Sequence, residues 1–273
     1  MIAVRGVDLA VEDSGAGTPV LWGHGLTSSM AAEAAMGMGV ADLPEDRYRL
    51  IRYDARGHGE SGATADPDDY AYPSLAADQL GLADALGLDR FVTGGMSLGT
   101  GTALHVAVDA PDRVQALVLG IPPTAWEGRR ARGATYQDRG RVLREEGMAA
   151  FVDGAMAEPL APIFAPFADQ VRAGIRDRYE DYDPEVLAPL LTGVGGSDLP
   201  DEDAIASLTM PVLVLAWPGD PVHPEATADR LAELLPQAEV VVAASLKEVF
   251  TWRDRVVAFL DEVVPRLPGA PRG

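Results

Sequence analysis

Residues 91–109 read FVTGGMSLGTGTALHVAVD. An apolar, β-rich run (FVTGGM) enters a glycine-rich turn and continues as a segment of helical character. Glycines at 95 and 99 bracket Ser97 in the pattern G-x-S-x-G. Only a sharp strand-to-helix turn needs small residues at both places, because a side chain at either would collide with neighbouring backbone. The pattern therefore predicts a strand, a tight turn with a hydroxyl at its apex, and a helix behind it. A glycine-rich turn whose serine merely caps the helix is the plainer alternative.

The rest of the chain repeats this rhythm. IAVRGV and DLAVED open it as two strands, read as a hairpin. PVLWG (19–23), YRLIRYD (48–54), QALVLGI, PVLVLAW and EVVVAA read as further strands. The stretch from Ser74 to Leu86 and the segment from Thr251 to Val264 carry apolar residues at helical spacing. Short apolar runs between helices predict an α/β chain with a mostly parallel sheet covered on both faces. Residues 122–205 break the pattern: they are proline-rich, helical where regular, and without an evident strand. They are read as a helical insertion in a core made of residues 1–121 and 206–273. The last residues, PRLPGAPRG, are expected to fray.

The 273 residues carry a net charge of -20, which opposes binding to nucleic acid and to anionic membrane surfaces. No cysteine is present, which excludes disulfides, thiolate metal sites and cysteine nucleophiles. The opening residues lack a basic-then-apolar export pattern, and no apolar run approaches membrane-spanning length. The reading is a cytoplasmic protein acting on a small molecule. There is no metal constellation, no dinucleotide fingerprint and no implied cofactor.

Taken in order, HGL (24–26), DARGHGESG (54–62), GMSLG (95–99) and GDPVHP (219–224), with a helical insertion before the last, resemble the α/β-hydrolase family. The likeness runs from near residue 1 to near residue 264. It implies the α/β-hydrolase fold, a mostly parallel twisted sheet flanked by helices, with residues 122–205 as a helical lid. It implies Ser97 as nucleophile and Asp220 as the acid after the strand that follows the lid. The backbone N–H groups of Leu26 and Leu98 would form the oxyanion hole. Losing one such donor typically costs roughly 3 kcal/mol of barrier.

The same resemblance expects a histidine between the last strand and the last helix. That stretch reads VVVAASLKEVFTW (240–252) and contains none. Four histidines remain. His24 in the oxyanion turn and His58 in the RGHG loop are read as structural. His105 sits eight residues beyond Ser97 on the following helix, roughly 12 Å along its axis, and is out of reach. His223 follows Asp220 by three residues and is the candidate substitute base.

Other candidates are apolar or basic. Trp22, Met96 and Trp126 are taken as substrate-binding, with ordinary core as the alternative. Phe151, Phe164 and Phe167 either cover a substrate or pack the lid. Arg129, Arg130 and Arg132 either hold an anion or line a solvated helix face. Lys247 is read as a surface charge. Three functions stay open at this stage. The first is a serine hydrolase of small, mostly apolar esters, lactones or related carbonyl compounds with a rearranged triad. The second is a cyclase, lyase or isomerase using the oxyanion hole. The third is a ligand-binding protein without turnover.

Overall fold

The computed structural model describes residues 1–38 and 40–264. The opening hairpin pairs β1 (Ile2–Val4) with β2 (Val7–Leu9), antiparallel, as a separate two-stranded sheet. DLAVED is therefore not one strand. It splits at Ala10, and Val11–Gly15 becomes β3, an edge strand of the main sheet. The remaining strands are β4 (Thr18–Gly23), β5 (Tyr48–Tyr53), β6 (Phe91–Met96), β7 (Val114–Gly120), β8 (Val212–Ala216) and β9 (Ala238–Val242). They lie in the order β3-β5-β4-β6-β7-β8-β9. β3 is antiparallel to β5 and every other pair is parallel. The expected tail at 265–273 lies outside the described residues.

Both faces of the sheet are buried, which is why its strands read as continuous apolar runs. Leu21, Ile51, Phe91, Leu117 and Val214 point to one face. They pack against α2 (Tyr72–Ala85), α3 (Leu98–Asp109) and α9 (Glu225–Leu234). Val20, Trp22, Leu50, Val118 and Leu213 point to the other, against α11 (Trp252–Val263) through Trp252, Val256, Phe259 and Leu260. The short helices α1 (Met30–Met36) and α10 (Leu246–Val249) follow β4 and β9.

Between β7 and β8 the chain is helical. It contains α4 (Arg129–Glu146), α5 (Met148–Met156), α6 (Ala168–Glu180), α7 (Pro184–Gly195) and the short α8 (Glu202–Ala206). Helices α4 and α7 approach closely: a methyl group on Gly133 would stand 2.3 Å from the Gly195 carbonyl oxygen. Arg129 is buried and ties the same pair together. Its guanidinium donates to the carbonyls of Ser197 and Val194 and lies over the Tyr72 and Tyr136 rings. The solvated-face expectation is corrected for this residue, because a guanidinium surrounded by carbonyls and aromatic rings has its donors occupied within the protein.

The chain order reverses between β4 and β6. Loops leaving two adjacent parallel strands in opposite directions open a crevice above the sheet. Gly23 and Gly95 face each other in register at the strand ends beneath it.

Candidate active site

The turn at Ser97 is built by backbone contact. A methyl group on Gly95 would lie 2.2 Å from the Gly23 oxygen and 2.8 Å from the Gly99 Cα. One on Gly99 would lie 2.2 Å from the same oxygen. With both positions bare, Ser97 adopts φ 51, ψ -98, a conformation L-residues rarely hold. Such residues cost of order 1–3 kcal/mol and persist only where the surroundings impose them. Here the Ser97 N–H donates to the Gly120 carbonyl at 2.8 Å, while Gly101 N–H donates to the Ser97 carbonyl at 3.1 Å. Leu98 begins α3, so its N–H has no partner within the helix.

The HGL turn at the end of β4 sits beside this elbow. A methyl group on Gly25 would touch the Ser97 Cβ at 3.9 Å. The Gly99 N–H donates to the His24 carbonyl at 3.1 Å, binding the two turns together. His24 is structural. Its Nε2 accepts the Ala55 N–H at 3.0 Å, so the ring proton is on Nδ1, which donates to the Gly25 carbonyl at 2.8 Å. Burial lowers its pKa and keeps the ring neutral. His58 is likewise buried, donates from Nδ1 to the Arg56 carbonyl at 2.9 Å, and is pushed down to about 3 by burial and by His24. The His105 imidazole meets the Asp198 carbonyl at 3.0 Å, away from the elbow.

The fourth histidine meets the serine. His223 Nε2 stands 2.8 Å from Ser97 Oγ, and His223 Nδ1 stands 2.8 Å from Asp220 Oδ2. Asp220 is buried, and its other oxygen accepts the backbone N–H groups of Val222 at 2.8 Å and His223 at 3.3 Å. Burial alone would raise the Asp220 pKa. Hydrogen bonding and the charge of His223, with the donors from Trp217 and Val222, outweigh it and hold the carboxyl well below its usual range. The loop carrying both residues is tied to the helical insertion. Thr124 donates from its N–H and its hydroxyl to the Val222 carbonyl, each at 2.9 Å, and Arg132 donates to the Pro221 carbonyl at 3.2 Å.

The remaining residues singled out in the sequence have the following surroundings. Trp22 is in the core, its indole N–H donated to Glu33 at 3.0 Å. Met96 is 4% exposed and packs its sulfur where a side chain at Gly120 would sit. Trp126 donates its N–H to Asp198 and its indole to the Pro200 carbonyl. Leu26 and Leu98 pack with Tyr72, Leu143, Phe151 and Leu187 of the apolar cluster under the insertion. Phe151 is buried, Phe164 packs edge-on to Trp217, and Phe167 is half exposed. Glu33 was missed by sequence reasoning. It is a buried carboxyl whose Oε1 accepts the Gly25 N–H at 3.3 Å, and burial raises it to about 8. A lone acid among the alanines of a short helix carries no pattern that announces it. Among the described residues no cluster of His, Asp or Glu could hold a metal ion, and no single helix is long and apolar enough to cross a membrane.

Comparison with known proteins fits this geometry. The family model described as alpha/beta hydrolase fold matches residues 18–253, and the chain belongs to that family. It is 28% identical to a putative carbamate hydrolase RutD of Agrobacterium fabrum, over 86% of this chain and 91% of that one. It is 26% identical to 3-oxoadipate enol-lactonase 2 of Acinetobacter baylyi, over 75% and 74%. The solved structure of a thermophilic esterase from Thermogutta terrifontis aligns with a TM-score of 0.75 and 26% identity, covering 97% of this chain and 96% of that one.

Proposed function

We propose that this protein is a serine hydrolase of small, mostly apolar esters, lactones or related carbonyl compounds. One observation carries the reading: a single imidazole bridges the Ser97 hydroxyl and the Asp220 carboxylate at 2.8 Å on each side. Ser97 Oγ attacks the substrate carbonyl carbon while His223 Nε2 takes its proton. The oxyanion is stabilised by the N–H groups of Leu26 and Leu98. Collapse expels the alcohol, which receives the proton from His223, and leaves an acyl-serine. Water then repeats the sequence, its proton passing to His223 and on to Ser97 as the acid departs. Asp220 holds Nδ1 protonated and stabilises the imidazolium without itself taking a proton. Residues 122–205 act as the lid, and the apolar cluster around Leu26 and Leu98 favours an apolar acyl group. The carbamate hydrolase, lactonase and esterase among the relatives support a substrate of this chemical class. The reaction needs no cofactor, and composition suits a cytoplasmic setting.

The test is turnover of p-nitrophenyl acetate, p-nitrophenyl butyrate and a γ-lactone by the wild type and by Ser97→Ala. The wild type should hydrolyse at least one, and Ser97→Ala should lose at least about 10³-fold. A folded wild type inert toward all three would contradict the hydrolase reading and turn attention to ligand binding or non-hydrolytic chemistry.

A further inference from the structure

Trp217 follows β8 directly and precedes Asp220 by three residues. Its indole N–H donates to Asp220 Oδ2 at 2.8 Å, the same oxygen that receives His223 Nδ1–H. The ring is 3% exposed and held on every side. It stacks on Trp252 at 5.6 Å and 9°, and meets Phe164 edge-on at 5.3 Å and 80°. It also meets the His223 imidazole edge-on, at 6.4 Å and 89°. Trp252 comes from the segment where the family resemblance expects a histidine. That segment thus supplies an aromatic wall, and the wall braces the indole that holds the acid.

We propose that Trp217 is the positioning residue of a compact Asp220–His223 pair. Its indole N–H fixes the carboxylate in the orientation that meets the imidazole. The inference rests on the triad reading above. The physical need is plain. An acid and a base three residues apart share one loop; Thr124 and Arg132 hold its backbone at Val222 and Pro221, but the carboxylate itself needs an anchor of its own. A rigid ring clamped between the insertion and α11 supplies that anchor.

The experiment is the rate of Ser97 labelling by a fluorophosphonate probe as a function of pH. It compares the wild type, Trp217→Phe, and a variant carrying benzothienylalanine at position 217, which keeps the shape of the indole and lacks the N–H. Ser97→Ala and His223→Ala are the controls. Both Trp217 variants should label about 10- to 100-fold more slowly on the plateau, as expected of a misplaced base. Purely space-filling packing would leave the benzothienylalanine rate where it is. An unchanged plateau in that variant, with labelling abolished by His223→Ala, would overturn the proposal and leave the triad intact. Labelling that survives His223→Ala would overturn the triad reading, and the role of Trp217 with it.

Discussion

Asp220 and His223 lie three residues apart in one loop, with the imidazole Nδ1 2.8 Å from the carboxylate. An acid and base so close in sequence need no second loop to meet. The turn after β9 is alanine-rich, and the imidazole that reaches Ser97 comes from the loop after β8.

This relationship predicts the effect of Asp220→Asn. The indole and the imidazole both meet Oδ2, and Oδ1 accepts two backbone N–H groups, so an amide nitrogen at either place would oppose donors; in the place of Oδ2 it would turn the imidazole to its other tautomer. Ester turnover should fall about 10⁴-fold. Steady-state kinetics would check this, and a loss below tenfold would remove Asp220 from the relay.

Gly99→Ala should not give a stable elbow. Its methyl group would sit 2.2 Å from the Gly23 oxygen, a backbone atom that cannot rotate away. Overpacking of this kind costs about 1–3 kcal/mol or more. A urea titration should show the loss, together with lost activity.

The mostly parallel α/β sheet was legible in the sequence, because two-sided burial demands unbroken apolar strands; DLAVED was not, since its break at Ala10 divides the chain between two sheets. His223 was legible only by elimination among four histidines. Its contact with Ser97 depends on how the 217–224 loop folds over β7, which no local pattern encodes. Trp22 misled because the end of a strand near a site and the core beneath it call for the same residue type. Trp217 was hidden for a similar reason: it reads as the last apolar residue of a buried strand.

Glu33 should make stability fall with rising pH. Its folded pKa of about 8 stands above the ordinary 4.5, so the native state holds a proton that the unfolded chain releases in that window. The contribution is full below 4.5 and is lost as pH rises through 8, amounting to at most roughly 5 kcal/mol. Urea midpoints of the wild type and Glu33→Gln, taken from pH 5 to 9, should differ in slope, with the variant flatter.

His58 acts in the opposite direction. Burial pushes it down to about 3 from 6.5, so the unfolded chain binds the extra proton between those values. Its contribution is present above 6.5 and is lost as pH falls toward 3. His58→Phe should lose less stability than the wild type on acidification, as followed by thermal melts between pH 7 and 4.

Intact-mass detection of the fluorophosphonate adduct at neutral pH, in the wild type and in His223→Ala, decides whether His223 is the base. The wild type should carry a single adduct on Ser97, and the variant should label at least about 10³-fold more slowly. Equal labelling rates in the two folded proteins would mean that His223 is not the base and that the bridge it makes to Ser97 does no catalytic work.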